Sequence, residues 1–529
     1  MNSCPPHAAR WPAPSAPTGP RAPWSWATWA RRAGAIVLVL AGTGCATLVP
    51  ELPPAVDTAC HAWEAQLDAA VQRAGVADAE AARIPGLAGL RVDRVAEALR
   101  TPASAEAGAF DAWLQRAAAL DAAAREAEVA NLPAAALPSL GAGSDEAARQ
   151  AALSRSAACR QQLLRQLSSA TPEQRAALLA AARVPDRYSL ALRTLGLYPV
   201  ARWPFFAGVQ RWQQDHEATM ARWALQPPAL QRHVPAGAHT ALPPRTPWAT
   251  DALGLPQPTA EEARQLLAWH APVFEIEQLG PYDHFGSPHW GADGTPRVDS
   301  GQPVVYQRLA HTRWGGRWHL QLVYTLWFPE RPARSAFDIL AGALDGVVVR
   351  ITLDEHGRAL LVDSIHACGC YHLFFPSPAV RPRKGAPRAQ EWLFAPAPLP
   401  PLQASDRLVV RISSATHDVL GLLATPRETA TGRPYALVAE DALRSRPAPG
   451  GRRSLYGPDG LVAGTARGER FLFWPMGIAS AGAMRQWGHH ATAFVGRRHF
   501  DDVDLLERRF HPPAPRPGPA PAGAPGRPD

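Results

Sequence analysis

The most regular alternation of side chains along the chain lies at residues 317–328, where every second residue is large and hydrophobic. This period of two predicts a β-strand. One set comprises Trp318, Leu320, Leu322, Tyr324, Leu326 and Phe328, and the other comprises His319, Gln321, Val323, Thr325 and Trp327. A strand-like run at 303–311 and the turn signal Trp314-Gly315-Gly316 come before it, so the two runs are predicted to form a hairpin.

Further strand-like segments follow this hairpin. Segments 347–353 and 358–366 flank a short turn containing Asp and Gly, and they predict a second hairpin. The other predicted strands are 407–412, 435–439, 471–474 and 491–495. Because hairpins outnumber strand–helix–strand units, residues 258–510 are expected to form a mostly antiparallel, β-rich α+β domain.

Residues 58–182 are rich in Ala, Leu, Arg, Gln and Glu, which favour helix, and contain few β-branched residues. Ser144 and Thr171 occupy N-cap positions before two predicted helices, and Thr259 has a similar place before a third. We therefore expect an α-helical domain at 58–225, a Pro-rich linker at 226–257 and the β-rich domain after it. The predicted fold class is α+β, with the helical domain first.

Segment 184–212 is apolar and aromatic but is interrupted by prolines. Trp203 and Phe205 alternate with arginines such as Arg202, which is typical of an amphipathic element lying on a bilayer. Burial between the two domains is the other interpretation, and it is the one that the sequence favours.

The N-terminal region has the order of an export signal. Arg31 and Arg32 precede a nine-residue apolar run, and small residues follow immediately before Cys45. This order resembles the signal region of bacterial lipoproteins, which implies that Cys45 is acylated and becomes the mature N-terminus. Ala46 resembles the residue found after the cysteine in lipoproteins sorted to the outer membrane. There are two alternatives to a lipoprotein signal: an ordinary cleaved secretion signal, and a buried apolar segment that precedes a cysteine.

On this interpretation residues 1–45 are a disordered leader and a signal, 46–57 are a tether, and 511–529 are a disordered, Pro-rich tail. The expected location is the bacterial cell envelope, on the periplasmic side of the outer membrane. The membrane partner would be contacted through the acyl chain on Cys45.

The net charge of +8 favours anionic partners. Lys384 is the only lysine among 54 basic residues, however, so the arginine content indicates compositional bias as much as a basic surface. The arginines lack the interleaved aromatics and helical spacing of nucleic-acid readers. We expect no nucleic-acid partner, and the sequence names no other partner.

Cys60 and Cys159 each lie in a predicted helix. In an oxidising compartment they could form a disulfide, and two unrelated buried thiols are the alternative.

One stretch contains four metal-ligand types at every second position: His366, Cys368, Cys370 and His372. On a straight strand the outer histidines would lie about 20 Å apart, so a shared ion requires the chain to fold back, and Gly369 could allow this. A zinc site, a Cys-x-Cys redox pair and a buried site without function all remain open. Distant ligands considered for the metal site are His284, His289, His417, His489 and His490.

The chain contains no nucleophile elbow, zinc-protease helix, phosphate loop or dinucleotide fingerprint. Catalytic residues and enzyme status are therefore left open. We expect an exported, lipid-anchored envelope protein with a binding or structural role and no certain cofactor. The alternative is a zinc-dependent periplasmic hydrolase that uses the four-residue cluster, assisted by Asp345 or Asp363.

Overall fold

Helices dominate the first half of the chain. The computed structural model describes residues 58–104, 107–141, 143–237, 246–385 and 389–513. The helices are α1 (Thr58–Ala74), α2 (Arg94–Ala98), α3 (Arg100–Ala103), α4 (Ala107–Asn131), α5 (Asp145–Ser168), α6 (Pro172–Ala181), α7 (Leu190–Leu195), α8 (Tyr198–Leu225), α9 (Ala260–His270), α10 (Arg470–Phe473) and α11 (Leu505–Arg509). Short 3-10 helices lie at Ala134–Ser139, Pro281–Asp283, Arg427–Thr429, Glu440–Arg444 and Trp474–Met476.

The predicted helix starts are confirmed. The Ser144 side chain accepts a hydrogen bond from the Ala147 N–H at the start of α5. Thr171 and Thr259 each form a capping box at the starts of α6 and α9. These caps satisfy N–H groups that the first turn of a helix leaves without a partner.

A disulfide joins Cys60 in α1 to Cys159 in α5, across 99 residues of sequence. Trp63 and Leu67 of α1 and Ala152 of α5 are buried beside it in one hydrophobic cluster. The bond therefore fixes the first described helix to a helix that is distant in sequence.

The strands begin in the helical half and become dominant after residue 270. They are β1 (Ala82–Ile84), β2 (Leu87–Val92), β3 (Gln231–Pro235), β4 (Val273–Ile276), β5 (Ser287–Trp290), β6 (Pro296–Asp299), β7 (Val304–Trp314), β8 (Arg317–Arg331), β9 (Gly342–Leu353), β10 (Ala359–His366), β11 (Leu373–Pro376), β12 (Asp406–Ile412), β13 (Val419–Pro426), β14 (Arg433–Ala439), β15 (Arg446–Ala448) and β16 (Gly451–Arg453).

Ten of these strands form one sheet in the order β11-β10-β9-β8-β7-β14-β3-β4-β12-β13. β14 runs parallel to β3 and β7, and β12 runs parallel to β4, whereas the other neighbouring pairs are antiparallel. Both predicted hairpins, β7–β8 and β9–β10, are present. Gly315 and Gly316 both have positive φ, as the two-residue turn between β7 and β8 requires. The fold is α+β, as predicted.

Part of the range predicted as a linker is a strand. β3 lies inside 226–257 and is inserted between β14 and β4, where His233 and Val234 are buried.

The helical part also packs directly on the β-rich part. Asp78 forms an ion pair with the buried Arg444, and Asn131 donates to the Arg444 carbonyl oxygen. All described residues accordingly belong to one compact unit.

The sheet is buried on both faces, which the alternation in β8 does not reveal. Leu322 and Tyr324 face the largest hydrophobic cluster. On the other face Val323 packs with Phe500, and Gln321 donates to the Thr352 hydroxyl at 3.0 Å. The second face is covered by the long irregular segment that ends with α11. His319 and Gln321 on that face are therefore buried and hydrogen-bonded, not exposed to solvent.

Two predicted strands are wrong. Residues 471–474 lie in α10 and the 3-10 helix that follows it, and residues 491–495 are irregular apart from an isolated bridge between Ala491 and His499. The hydrophobic run at 491–495 packs into a core through side chains, so its burial does not require a strand. At 471–474, by contrast, Phe471 and Leu472 are largely exposed on a short helix.

No helix in the described part of the chain is both long enough and apolar enough to cross a membrane. The leader, the signal with Cys45, the tether and residues 514–529 of the predicted tail lie outside the described residues.

Candidate functional site

A buried group of charged side chains lies at the end of the sheet where β9 begins and β10 ends. Asp345 is at its centre and is fully buried. Its Oδ2 accepts a hydrogen bond from His417 Nδ1 at 2.8 Å, and its Oδ1 lies 3.2 Å from Arg467 Nη2. The other ring nitrogen of His417, Nε2, lies 3.5 Å from Asp283 Oδ1. We call Asp283, Asp345, His417 and Arg467 the acid–histidine cluster.

The two ends of this cluster are fixed by backbone and ring contacts. Asp283 ends a 3-10 turn, and its carboxylate accepts hydrogen bonds from the Gly280 and Ala415 N–H groups. The His417 ring stacks on Phe328 with 3.9 Å between the ring centroids. The imidazole is therefore held between two carboxylates in one orientation.

The electrostatics of the cluster follow from these contacts. Burial alone would raise the pKa of Asp345, but Arg467 and the His417 hydrogen bond hold it well below its usual range. Burial alone would lower the pKa of His417, but the hydrogen bonds to Asp283 and Asp345 raise it overall. The arrangement therefore favours ionised carboxylates with a protonated histidine between them.

His366, the last residue of β10, lies beside this cluster and is buried. Its Nδ1 is 3.8 Å from Asp345 and its Nε2 is 3.6 Å from Asp418. Neither ring nitrogen has a hydrogen-bond partner among the described residues. A buried imidazole between two carboxylates and without hydrogen bonds is unusual, because such groups are normally satisfied.

The two candidate cysteines lie in a tight turn directly after β10. The His366 N–H donates to the Cys370 carbonyl oxygen at 3.0 Å, and the Gly369 N–H donates to the His366 carbonyl oxygen at 2.7 Å. Gly369 has φ +94°, and a Cβ there would lie 2.7 Å from the Ala491 carbonyl oxygen, so only glycine fits. The turn brings Cys368 and Cys370 together, and both are free thiols.

The thiols form a hydrogen-bonded pair. Accepting the hydrogen bond from Cys370 lowers the pKa of Cys368 to about 6, and Arg467 acts in the same direction. Donating that bond raises the pKa of Cys370 well above its usual range, and burial adds to the effect. Glu469 is buried nearby, and burial together with the negative charge of Cys368 raises its pKa to about 8. A neutral carboxyl group is therefore expected there at pH 7.

Four residues around this site are held in the left-handed region although none is glycine. Leu344, Tyr371, Ala415 and His417 have φ between 49° and 63°. Such conformations are strained for residues with a Cβ, and they concentrate at functional sites. Their grouping around one buried cluster is the main structural sign that the site is more than core packing.

His372 belongs to a different cluster on the opposite face of the sheet. Its Nε2 lies 2.9 Å from Asp363 Oδ2, and Asp363 in turn forms a fully buried ion pair with Arg350. Burial lowers the pKa of His372 to about 3, so this ring is neutral. The Phe500 ring covers the Arg350 guanidinium at 3.7 Å.

The four predicted metal ligands are therefore not brought together. Asp363, which binds His372, and His366 are three residues apart on β10, and side chains at odd spacings on a strand point to opposite faces. The sheet thus separates the two histidines, and only the two thiols meet. Within the described ranges, no group of three or more His, Cys, Asp or Glu side chains is arranged to hold a metal ion. Of the assisting acids, Asp345 lies near His366 and Asp363 near His372.

The other candidate histidines are distributed over several places. His284 and His289 line an open cleft of about 590 Å³, beside Arg446. His489 Nε2 lies 2.7 Å from the Ala79 carbonyl oxygen, and His490 is buried. His417 alone among them joins the acid–histidine cluster. The sequence did not identify Asp283, Arg467 or Glu469 as members of the site, because each reaches it through contacts with residues distant in sequence.

The chain matches no known protein family, and it matches no curated protein. One solved structure to which it is similar is described as a toxin fold for microbial attack and plant defense. The two share 13% sequence identity, the match covers 39% of this chain and 84% of that chain, and the TM-score is 0.19. A likeness at this level carries no argument about fold or function.

Removal of the central charge tests the cluster. The change Asp345→Asn leaves the buried Arg467 without its carboxylate, and we expect a loss of about 3–5 kcal/mol in the free energy of unfolding, measured by urea denaturation. The control is Asp504→Asn, which removes an exposed partner of Arg508 and should cost less than about 1 kcal/mol. Equal losses of unfolding free energy in Asp345→Asn and Asp504→Asn would show that the buried cluster stabilises the fold no more than an exposed ion pair does.

The pKa of Glu469 predicts a pH dependence of stability. The folded pKa of Glu469, about 8, lies above its ordinary value of 4.5. The contribution of this carboxyl group to the stability of the folded protein is therefore fully present below pH 4.5 and is lost as the pH rises through 8. The change Glu469→Gln removes this loss. The difference in unfolding free energy between variant and wild type should therefore grow from pH 5 to about pH 8, by up to about 1.4 kcal/mol per pH unit, and level off above pH 8.

The matched control for the pH series is Glu355→Gln, at an exposed turn. Its effect should stay within about 0.5 kcal/mol throughout. A constant difference between Glu469→Gln and wild type across the series would contradict the raised pKa.

Proposed function

We propose that this protein is an exported, lipid-anchored protein of the bacterial cell envelope with a binding or structural role. The observation that carries the proposal is the disulfide between Cys60 and Cys159. Structural disulfides form and persist in oxidising compartments such as the periplasm, and they are rare in the cytosol. This agrees with the export signal that ends at Cys45, which would supply the acyl anchor on the periplasmic side of the outer membrane.

The test is the chemical state of the mature protein, isolated from a bacterial envelope without reductant. We expect mass spectrometry to show an acylated Cys45 as the N-terminal residue and a peptide pair linked through Cys60 and Cys159. The change Cys45→Ser should abolish the acylation and release the chain from the membrane fraction.

Cys4→Ser is the matched control, because residue 4 would be removed with the signal, and it should leave the mature protein unchanged. An N-terminus at residue 1, or an unmodified terminus elsewhere, would overturn the anchor. Free thiols at both Cys60 and Cys159 would remove the support for an oxidising compartment.

A second candidate function is thiol–disulfide exchange at Cys368 and Cys370. The observation that favours it is the hydrogen-bonded thiol pair in the tight turn after β10. In the exchange, one thiol of the pair, the buried Cys368 or the half-buried Cys370, attacks a disulfide of a partner as its thiolate, and the other thiol then displaces the partner. The two protein thiols are oxidised to one disulfide, and the partner disulfide is reduced to two thiols. The metal-dependent hydrolase has no comparable support, because the sheet separates His366 from His372.

Incubation of the intact protein with oxidised glutathione distinguishes these possibilities. We expect a mass decrease of two hydrogens and a new linkage between Cys368 and Cys370. Each single variant, Cys368→Ser or Cys370→Ser, should instead retain one glutathione as a mixed disulfide.

If both thiols remain open to alkylation after this treatment, the exchange function is wrong. Zinc analysis of the same wild-type sample and of Cys368→Ser/Cys370→Ser completes the comparison. Equally low zinc in both would leave the hydrolase without a basis.

A further inference from the structure

The described surface includes a group of large hydrophobic side chains on α7, the start of α8, and α10 with the 3-10 helix after it. Each of its members is between 38% and 79% exposed. They are Leu190, Leu195, Leu197, Val200, Trp203, Phe471, Leu472 and Trp474. We call them the apolar face. Isolated exposed hydrophobic residues are ordinary, whereas a contiguous group marks an interaction site.

The face is contiguous because its two segments are fixed against each other. The Ser189 N–H donates to the Gly477 carbonyl oxygen at 2.8 Å, and Arg193 Nε donates to the Met476 carbonyl oxygen at 2.9 Å. The rings of Phe205 and Phe473 meet at 5.3 Å between centroids. The segments 190–203 and 470–476 therefore present one surface, although some 270 residues separate them in sequence.

The face is surrounded by positive charge without matching negative charge. Neither 187–214 nor 470–500 contains an Asp or Glu. Arg202 lies over the Trp203 ring at 5.5 Å and Arg470 over the Phe471 ring at 4.6 Å. These two arginines, and the exposed Arg211, have no ion-pair partner within the described ranges.

Three of the acids that border these segments are already engaged or buried: Asp186 pairs with Arg497 and His499, Asp501 pairs with Arg94, and Glu469 is buried. Asp215 is exposed and follows Arg211 by one helical turn, so the unmatched positive charge is that of Arg202 and Arg470. A partner that meets the apolar face must therefore be apolar at its centre and anionic around it. A phospholipid surface with anionic head groups has this chemistry, and Trp side chains flanked by arginines are typical of elements lying at that interface.

Other occupants fit less well. A second copy related by a two-fold axis would place the same arginines opposite one another. Residues 514–529 are Ala, Pro, Gly, Arg and Asp only, so this segment offers no large hydrophobic side chain to cover the face and would bring further arginine.

We propose that the apolar face docks on the surface of an anionic phospholipid bilayer, with the side chains of 190–203 and 470–476 inserted among the head groups. This contact is made by the folded protein itself and does not depend on an acyl chain at Cys45. If both contacts exist, they hold the protein against one membrane at two points.

The test uses the full chain carrying Cys45→Ser in every sample, so that the fate of the proposed anchor cannot change the result. Vesicles contain phosphatidylcholine either alone or mixed with phosphatidylglycerol. Hydrogen exchange measures protection of 190–206 and 470–476, and vesicle flotation measures binding. We expect protection of both segments with phosphatidylglycerol vesicles, and much less with phosphatidylcholine alone or at high salt.

Two variants and a matched control accompany this measurement. Leu195→Glu/Phe471→Glu should weaken binding at least tenfold and abolish the protection. Arg202→Gln/Arg470→Gln should weaken binding to the anionic vesicles about fivefold for each arginine. The control Leu225→Glu/Leu279→Glu adds the same charge at leucines that are 85% and 74% exposed outside the face, and it should bind as the parent does.

Three results would overturn the proposal. One is equal protection of 190–206 and 470–476 by anionic vesicles in the face variant and the control variant. Another is the absence of protection in 190–206 and 470–476 with either vesicle. The third is protection that appears with rising protein concentration in the absence of vesicles, which would identify a second copy as the occupant. Because protection is measured locally, binding by the apolar run before Cys45 does not imitate the expected result.

Discussion

Hydrogen bonds from buried guanidinium groups to backbone carbonyl oxygens hold the irregular C-terminal segment against the sheet. Arg350 of β9 donates to the Phe500 carbonyl oxygen, Arg485 donates to that of Cys368 directly after β10, and Arg498 donates to that of Thr492 within the segment. A long irregular segment has few regular backbone partners, and each buried carbonyl without a donor costs free energy. The planar, five-donor guanidinium can satisfy several carbonyls at once, which an ammonium group cannot do with the same geometry.

The burial of these arginines changes the interpretation of the high arginine content and the positive net charge. Arg350, Arg407, Arg485 and Arg498 are buried, so a substantial part of the positive charge is internal. Arg350 pairs with Asp363 and also donates to the Phe500 carbonyl oxygen. The arginine content is therefore in part a structural requirement of a sheet covered by irregular chain. The external charge is concentrated in fewer places, and the surface around the apolar face is one of them.

The sequence predicted the elements whose pattern is local. The β7–β8 hairpin follows from two runs of period two around Gly315 and Gly316. The helix starts follow from N-cap residues whose partners lie three positions later in the sequence. Elements stabilised by distant contacts could not be predicted in this way. Strand β3 is short, and only its pairing with β14 and β4 makes it a strand. The run at 491–495 is hydrophobic because it is buried, and burial alone does not specify backbone conformation.

The candidate site could likewise be predicted from the sequence only in part. The sequence indicates a bend at Gly369 between Cys368 and Cys370, and it offers Asp345 as an assisting acid. The separation of His366 from His372 depends on which face of β10 each cluster occupies, and no spacing rule for a single segment gives that. Asp283, Arg467 and Glu469 enter the site through tertiary contacts between irregular segments, so their sequence neighbours carry no sign of their role.

The disulfide between α1 and α5 has a mechanical consequence if the protein is tethered at Cys45. Thr58, where α1 begins, is only 13 residues after Cys45, so any pull on the tether reaches α1 first. Terminal helices ordinarily fray and peel away from a domain. Here a covalent bond at Cys60, in the first turn of α1, passes the load directly into α5. Peeling that starts at the membrane would therefore stop at residue 60, and the noncovalent packing of α1 would not bear the force.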